Sequence, residues 1–364
     1  MNLIKIALTG GPCAGKTTVF EAIRIYLENK GIKVITVSET ATELINSGIS
    51  PNDTKNIMDF QDIIYGLQKH KEEMVSKGLD IYKNEETCVM LFDRGIIDNK
   101  AYLANQAEYD YLLAKYNDSE IDLLDSYDYV INLFSLASCN EQKYNLTSNQ
   151  ARFENKDEAK KLDQRTAEAW IGHKNIKVFN SNIPLEEEVQ LVLEHVDNII
   201  NGTVIKKLQR YTINKDKTDF SVYNDDNSKT INIKDIYLNN STHDGLNYII
   251  TESTYKERKS YLFSIVKESE NITVDLYHKK INLQERSSLL AKYGVSEIED
   301  RVELTFIENR QPFKIKFYED FTILELEENT LNEKLEIPNN IAIESKIKGI
   351  NSKRAKKKVF ANKL

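Results

Sequence analysis

The first 200 residues alternate between short apolar runs and longer segments in which apolar residues recur every three or four positions. The apolar runs predict a first strand beginning at Leu3 and further strands at 32–38, 87–93, 126–136 and 175–182. The helical period predicts amphipathic helices at 18–29, 60–77, 151–173 and 184–202. This alternation predicts an α/β domain over residues 1–202, with a parallel sheet and right-handed crossovers.

Beyond Gly202 the pattern changes to a period of two, which is typical of strands. The predicted strands lie at 203–213, 246–254, 258–269, 271–281, 301–309, 312–320 and 321–329. Their short connections predict antiparallel hairpins, and such a sheet must close or be covered because open edges promote aggregation. We therefore predict an antiparallel β-barrel over residues 203–364, with one helix at 283–294 that covers or plugs an end.

A glycine-rich loop joins the first predicted strand to the first predicted helix. Its sequence, GGPCAGKTT, fits the pattern G-x-x-x-x-G-K-[ST]. The glycines let consecutive backbone N–H groups point into one hollow, and the helix directs its positive end at the same place. The pattern predicts binding of a nucleoside triphosphate, ATP or GTP, with Lys16 on the outer phosphates and the Thr17 hydroxyl on Mg²⁺. The predicted nucleotide-binding residues are Gly10, Gly11, Pro12, Cys13, Ala14, Gly15, Lys16, Thr17 and Thr18.

Charged side chains after the following strands complete the candidate catalytic site. Glu39 follows the second strand and Asp93 ends the third, and ligands of parallel sheets bind at such strand ends. Asp93 is a candidate Mg²⁺ ligand or a base toward an acceptor hydroxyl, and Arg94 would balance phosphate charge. Arg152 lies in a hydrophilic segment of the kind that closes over a nucleotide. Each of these residues also has a simpler interpretation. Glu39 would be a charge at the start of a helix, Asp93 and Arg94 would form an ion pair in a turn, and Arg152 would lie in a solvated helix.

Length and charge restrict the domain organisation. A chain of 364 residues exceeds one ordinary core and favours two domains. The formal net charge is −8, with 21 basic and 32 acidic residues in 1–200 but 28 basic and 25 acidic residues in 201–364. The second half is therefore the better candidate for an additional anion. Its basic tail, SKRAKKKVFANKL, is either part of such a site or a frayed, solvated terminus.

Cysteine usage and hydropathy predict the compartment. The three cysteines are widely spaced and fit neither a disulfide framework nor a zinc site. The opening apolar run is too short for a signal peptide, and no apolar stretch reaches the length of a membrane span. We expect a cytoplasmic protein without a transmembrane segment. No base-reading motif is visible, so a nucleic-acid partner is not expected.

The first half resembles the P-loop family of AAA-type nucleotide-binding domains that are similar to nicotinamide riboside kinases and deoxynucleoside kinases. The resemblance rests on GGPCAGKTT, on SETATELINSGISP around Glu39 and on DRGIIDNKAY at 93–102. It implies a kinase-like fold with a small acceptor such as a nucleoside. Further matching residues are Phe60, Gln61, Gln68, Glu72, Tyr144, Asn149, Arg152, Glu154, Trp170, Gly172, His173, Asn180 and Ser181.

Charges at alternating positions of the second half form a separate candidate site. Glu325 and Glu327 share one face of a strand, and basic residues opposite them would bind a polyphosphate with a divalent metal. Alternatively, these charges face water and the apolar positions face inward. The candidate residues are Arg258, Lys267, Lys314, Lys316, Glu325 and Glu327.

The second half resembles a CYTH domain, the triphosphate-tunnel barrel. The matching segments are KERKSYLFSIVKES, HKKINLQE, LELE and IAIESKIKG, the last of which adds Glu344 to the candidates. The whole architecture is similar to the TRPL-translocation-defect family. That barrel family opens with Glu-x-Glu-x-Lys, whereas the corresponding strand here, KKLQRYTI, has no glutamate. The resemblance therefore implies binding of a polyphosphate or nucleotide more strongly than its metal-dependent hydrolysis.

Three functions are compatible with these patterns. The first is a Mg²⁺-dependent P-loop phosphotransferase or NTPase that uses ATP or GTP. The second is a nucleotide-dependent switch or sensor whose barrel binds a small phosphorylated ligand or a phospholipid headgroup. The third is a triphosphatase that acts through the barrel.

Overall fold

The chain divides into two compact units, Met1–Val196 and Asp197–Leu364. The computed structural model describes residues 2–81, 87–135, 156–179, 183–239, 245–269, 271–328 and 336–347. Several residues selected from the sequence lie outside these ranges, as does the basic tail: Tyr144, Asn149, Arg152, Glu154, Asn180 and Ser181.

A five-stranded parallel sheet with the order β2-β3-β1-β4-β5 forms the centre of the first unit. Its strands are β1 (Asn2–Gly10), β2 (Lys33–Val37), β3 (Thr87–Asp93), β4 (Tyr129–Leu133) and β5 (Ile176–Phe179). β3 and β4 are apolar and buried along nearly their whole length, which is typical of parallel strands that are covered on both faces. The prediction of an α/β fold with a parallel sheet is confirmed.

Helices connect these strands. They are α1 (Lys16–Asn29), α2 (Thr40–Asn46), α3 (Ile57–Ile81), α4 (Gln106–Tyr116), α5 (Glu120–Leu124), α6 (Lys156–Ala169) and α7 (Leu185–Ile200), with 3₁₀ turns at Pro51–Asp53 and Ile96–Tyr102. α1 buries Val19, Ile23 and Leu27 on the stripe that its helical period predicts. Because the strands are parallel, their carboxyl ends meet at one edge, where the loop after β1 lies near the ends of β2 and β3.

A closed antiparallel barrel of eight strands forms the second unit. Its strands are β6 (Val204–Ile213), β7 (Ser228–Leu238), β8 (Leu246–Tyr255), β9 (Arg258–Ser269), β10 (Ile272–Lys280), β11 (Val295–Glu308), β12 (Gln311–Phe317) and β13 (Thr322–Glu327). They follow the order β10-β9-β8-β7-β11-β12-β13-β6, and pairing of β6 with β10 closes the ring. A further strand, β14 (Ile343–Ile347), pairs with the part of β6 that β10 leaves uncovered. The predicted barrel is confirmed, although β7 and β14 are missing from the strands predicted from sequence.

The two faces of the barrel strands differ in character. On one face, helix α8 (Leu283–Tyr293) covers an apolar cluster in which Leu290 packs against Ile250 and its neighbours. On the other face lie buried charged residues. Glu268 of β9 interacts electrostatically with Lys316 of β12, although β9 and β12 are not neighbours in the ring. The charged face is therefore the interior, and the helix covers the outer surface.

The outer apolar face stabilises the barrel. Ile315 of β12 is fully buried in a second cluster on this face. We expect Ile315→Ala to lower the free energy of unfolding by about 2–5 kcal/mol, because it removes buried methyl groups and leaves a cavity. Chemical denaturation followed by far-UV circular dichroism measures the change. The matched control, Ile272→Ala, alters a side chain that is 38% exposed and should lose about 0.5 kcal/mol. Equal losses would contradict this assignment of the core.

Candidate active site

The phosphate loop between β1 and α1 depends on two glycines. Gly10 has a φ of 143°, and a Cβ atom there would lie 2.1 Å from the Leu133 carbonyl oxygen. Gly15 precedes α1 in the left-handed region, with a φ of 74°. Cys13 adopts the same region with a φ of 60°, which is strained for a residue with a side chain. The other predicted residues of this loop, which are buried, are Gly11, Pro12 and Ala14.

Lys16 begins α1, and its ammonium group lies against the loop. Its Nζ atom donates to the carbonyl oxygens of Gly10 at 3.0 Å and of Gly11 at 2.7 Å. Thr17 and Thr18 are exposed in the first turn of α1. Backbone N–H groups in a first helical turn have no intrahelical partner and favour an anion. The loop and the helix start therefore form an arrangement suited to phosphate.

Four charged side chains meet beside this loop at the carboxyl edge of the sheet. Leu8 of β1 lies opposite Asp93 of β3, and Glu39 follows β2 by two residues. The Glu39 carboxylate accepts a hydrogen bond from Arg94 Nε at 2.6 Å. Lys16 interacts electrostatically with Glu39, Asp93 and Arg94. The structure thus brings together residues that the sequence presents on three separate segments.

Burial and charge set the protonation states of this cluster. Burial, together with repulsion from Arg94, lowers the pKa of Lys16 to about 8, although nearby carboxylates oppose the shift. Burial would raise the pKa of Glu39, but attraction to Arg94 and Lys16 prevails and lowers it to about 2. The pKa of Asp93 is raised by burial and by repulsion from Glu39. At neutral pH Glu39 is ionised, and Asp93 is the stronger base of the two.

Two buried polar atoms of the cluster have no hydrogen-bond partner among the described residues: Oδ1 of Asp93 and Nη1 of Arg94. A buried polar atom left in this way costs about 1–3 kcal/mol, so each atom is suited to a bound group. The guanidinium matches a phosphate oxygen. The carboxylate oxygen of Asp93 and the hydroxyl of Thr17 are the hard ligands that Mg²⁺ prefers. The residues present therefore fit a magnesium–nucleotide complex.

The turn that carries Arg94 is held by a buried carboxylate four residues later. Arg94 has a φ of 68°, an unfavourable left-handed conformation. Asp98 accepts hydrogen bonds from the Gly95 N–H at 2.8 Å, from Trp170 Nε1 at 3.3 Å and from the Thr9 hydroxyl. It also lies 3.8 Å from Arg94 Nη1. Trp170 fills the space beside Gly95, where a Cβ atom would lie 2.7 Å from the indole.

A second carboxylate, Glu72 of α3, supports the same turn. It accepts hydrogen bonds from the Tyr127 hydroxyl at 2.9 Å and from Gln68 Nε2 at 2.7 Å. The Tyr127 oxygen in turn accepts the Ile96 N–H at 2.9 Å. Burial raises the pKa of Glu72 to about 7, although the hydrogen bonds from Gln68 and Tyr127 oppose the shift. Glu72 therefore supports the turn through Tyr127 and also through the Ile96 N–H, which opposes the rise in the pKa of its carboxylate.

Several residues that matched the family pattern thus occupy supporting positions. His173 Nε2 donates to the Tyr127 carbonyl oxygen at 2.9 Å, because its Nδ1 atom accepts the Asn175 N–H at 3.1 Å. Sequence reasoning gave no role to Glu72. A signal for it was available, because Gln68 and Glu72 are polar residues four positions apart on the inward side of an amphipathic helix. Inward polar side chains require partners.

The barrel interior brings three sequence-predicted residues into one charged cluster. The Glu325 carboxylate accepts hydrogen bonds from Lys316 at 2.8 Å and from Arg210 at 2.7 Å. Lys314 lies 3.5 Å from Glu303 on the neighbouring strand. Burial would raise the pKa of Glu325, but attraction to Lys316 and Arg210 lowers it. Burial would likewise raise the pKa of Glu303, but attraction to Lys314 and Arg301 lowers it, so both of these glutamates are ionised within the barrel.

Other interior residues of this cluster were missed. Arg301 donates to Asp235 at 2.6 Å and to Glu303 at 2.6 Å. Charges at alternating positions 299, 301 and 303 were the available signal, but the predicted strand began only at 301. Glu327 is partly buried at the end of β13. The predicted barrel residues that are exposed, away from this cluster, are Arg258, Lys267 and Glu344.

Comparisons with known proteins give a family match for part of the first unit. A search of curated proteins found no match. Among solved structures, the PH1819 protein of Pyrococcus horikoshii OT3 is similar over 36% of this chain and 80% of its own, with 9% identity and a TM-score of 0.28, a likeness too low to carry an argument. None of the helices in the described part of the chain combines the length and apolar character needed to cross a membrane. Residues 5–184 match the family model of an AAA domain, and with the phosphate loop and parallel sheet this part of the chain is similar to P-loop nucleotide-binding domains.

Proposed function

We propose that the first unit binds magnesium–ATP or magnesium–GTP and transfers the terminal phosphoryl group to a small acceptor hydroxyl or to water. The observation that carries the proposal is the cluster beside the phosphate loop. Lys16, Asp93 and Arg94 converge there, and buried atoms of the last two have no partner among the described residues. An acceptor such as a nucleoside is favoured only by the family resemblance.

The phosphate loop and Lys16 would hold the β- and γ-phosphates. Phosphoryl transfer depends mainly on positioning and on compensation of charge, which main-chain N–H groups, an ammonium and a guanidinium supply. Thr17 and Asp93 would hold Mg²⁺, which neutralises charge on the phosphate oxygens when bound. Arg94 would neutralise charge on the transferred group. Arg152, which lies outside the described residues, would add a further positive charge.

A carboxylate must also accept the proton of the attacking hydroxyl. Glu39 is the weaker candidate, because its lowered pKa makes it a poor base and its carboxylate is bonded to Arg94. Asp93 has a raised pKa and an unpartnered oxygen atom among the described residues. We therefore assign proton acceptance to Asp93 for the case in which its carboxylate does not itself hold Mg²⁺, and the orientation of Arg94 to Glu39.

The barrel is proposed as a second, non-catalytic binding site. Lys316, Arg210 and Lys314 lie inside a closed barrel, where they are paired with Glu325 and Glu303. A polyphosphate, a small phosphorylated ligand or a phospholipid headgroup would bind there by replacing these carboxylates as the partner of the cations. The missing Glu-x-Glu-x-Lys opening counts against hydrolysis there. If the first unit binds without transferring phosphate, the protein is a nucleotide-dependent switch; if the barrel hydrolyses, it is a triphosphatase.

Phosphate products after incubation with ATP or GTP, Mg²⁺ and a nucleoside panel distinguish these functions. We expect Lys16→Ala to abolish product formation and to weaken nucleotide affinity by about tenfold or more, because it removes the ammonium from the phosphates. Thin-layer chromatography identifies the products, and titration calorimetry measures affinity.

The matched control is Lys77→Ala, which removes an exposed lysine of α3 and should change neither quantity. An acceptor phosphate supports a kinase, and slow release of free phosphate supports an NTPase or a switch. Hydrolysis that survives Lys16→Ala but is lost in Glu325→Ala would overturn the proposal in favour of the barrel.

Asp93→Asn separates catalysis from binding. We expect it to lower the rate of phosphoryl transfer by about 10²-fold or more, because the amide neither accepts a proton nor carries the charge that attracts Mg²⁺. Affinity for the nucleotide without Mg²⁺ should fall little, because the phosphate loop is unchanged. Initial rates over a magnesium titration measure the effect. A wild-type rate and magnesium dependence would contradict the assigned role.

The lowered pKa of Lys16 predicts a pH dependence of nucleotide binding. Lys16 is charged below its pKa of about 8 in the free protein, so affinity should be full below pH 7 and fall as the pH rises through 8. Above the pKa the affinity should approach that of Lys16→Ala, because the neutral amine no longer attracts the phosphates. Dissociation constants measured between pH 7 and 9.5 test this. In Lys16→Ala the decrease should disappear; the same decrease in that variant would assign it to another group.

A further inference from the structure

The buried side of helix α6 and the residue that follows it contact two parts of the candidate active site, the phosphate loop and the turn that carries Arg94. Asp163 lies in this helix and Trp170 directly follows it. Seven residues correspond to about two helical turns, so the two side chains emerge on the same side. Asp163 is 1% exposed and Trp170 is fully buried. Neither residue touches the atoms proposed to react.

Asp163 joins the phosphate loop to the end of β4. Its Oδ1 atom accepts the Gly11 N–H at 3.0 Å and the Ser135 N–H at 3.0 Å, and its Oδ2 atom lies 3.1 Å from the same Ser135 nitrogen. The Ser135 hydroxyl donates to the Pro12 carbonyl oxygen. A Cβ atom on Gly11 would lie only 2.4 Å from Asp163 Oδ1. The helix is therefore packed directly against the loop.

These contacts fix the part of the loop on which Lys16 rests. The Lys16 ammonium is bonded to the carbonyl oxygens of Gly10 and Gly11, and the N–H of Gly11 is the one that Asp163 accepts. Hydrogen bonds to a carboxylate are about twice as strong as neutral ones. Without Asp163, two buried main-chain N–H groups lose their acceptor, and the start of the loop is free to shift.

Trp170, which directly follows α6, contacts the turn that carries Arg94. Trp170 donates to Asp98 at 3.3 Å and packs beside Gly95. Asp98 in turn lies 3.8 Å from Arg94 Nη1. Asp163 in the middle of α6 thus contacts the phosphate loop, and Trp170 directly after α6 contacts the turn that carries Arg94.

We infer that Asp163 is a positioning residue for nucleotide binding, which sets the conformation of the phosphate loop, and that α6 aligns this loop with the Arg94 turn. The inference rests on the proposed function, because it assigns the loop to nucleotide phosphates. Asp163 acts through the main chain of Gly11, so its loss should affect affinity more than the rate of the bound complex.

Affinity for magnesium–ATP and magnesium–GTP, measured in the full chain, tests the inference. We expect Asp163→Ala to raise the dissociation constant by about tenfold, the loss that corresponds to one unsatisfied buried group. If the wild type transfers phosphate, KM for the nucleotide should rise by a similar factor in Asp163→Ala, while kcat should fall less than about threefold. Asp163→Asn keeps one acceptor oxygen and should recover most of the affinity.

Asp118→Ala is the matched control for a general loss of stability. Asp118 accepts hydrogen bonds from the Tyr65 hydroxyl at 2.8 Å and from Lys69 at 2.6 Å, and it has no place in the site. It should lower the melting temperature without changing nucleotide affinity. If Asp163→Ala does not fold, Asp163→Asn tests the inference instead. We expect nucleotide affinity to fall about threefold in Asp163→Asn and to stay unchanged in Asp118→Asn.

The outcomes separate this inference from the proposed function. A wild type that binds neither nucleotide overturns the proposed function and the inference with it. Nucleotide binding that is lost in Lys16→Ala but unchanged in both Asp163 variants overturns the inference alone. Equal losses of affinity in the Asp163 and Asp118 variants would also overturn it, because they would show a general effect of stability.

Discussion

The guanidinium of Arg94 sets the constraint on which the first unit depends. Its side chain is 12% exposed, and a charge with so little access to water must be compensated by the protein. Glu39 compensates it directly at 2.6 Å, and Asp98 adds negative charge at 3.8 Å. The ends of β2 and β3 are thereby fixed relative to each other. The left-handed conformation of Arg94 is unfavourable, and it persists because these contacts hold the turn in place.

The support for this turn is polar as well, which explains why so many residues of the first unit are buried without being apolar. Glu72 acts through Tyr127, and Asp98 acts through Trp170 and the Gly95 N–H. Networks of this kind specify one geometry, because a carboxylate in a low-dielectric site must keep all of its donors. The arrangement favours a rigid turn over a mobile one, which suits the proposed phosphoryl transfer, because the charges would then need no reorganisation.

The barrel also compensates its buried charges with ion pairs. Its interior holds Arg301 between Asp235 and Glu303, and Glu325 between two cations. The apolar clusters around Ile250 and Ile315 lie outside, where α8 and other segments cover them. A smaller apolar cluster of Tyr237, Ile249 and Val266 shares the inner face with the charged residues. Much of the apolar packing is therefore on the outer surface, and the rest of the interior is polar.

The sequence by itself determined most of the elements and the phosphate loop. The spacing of glycines around Lys16 has one common physical use, and the change of period at Gly202 separates the parallel from the antiparallel part. β7 alternates polar and apolar residues and was predictable in principle. β14 has only two apolar residues, and its pairing with β6 joins residues that are 130 or more positions apart, so no local pattern predicts it.

Only the tertiary structure decided which charges meet. The strand ends indicated that Glu39 and Arg94 lie at one edge of the sheet, but nothing local indicated that they form an ion pair or that Asp163 contacts Gly11, because these contacts join segments distant in the chain. In the barrel, a period of two assigns residues to opposite faces without saying which face is inside. Closure of the ring and coverage by a helix decide that, because they determine which face is removed from water.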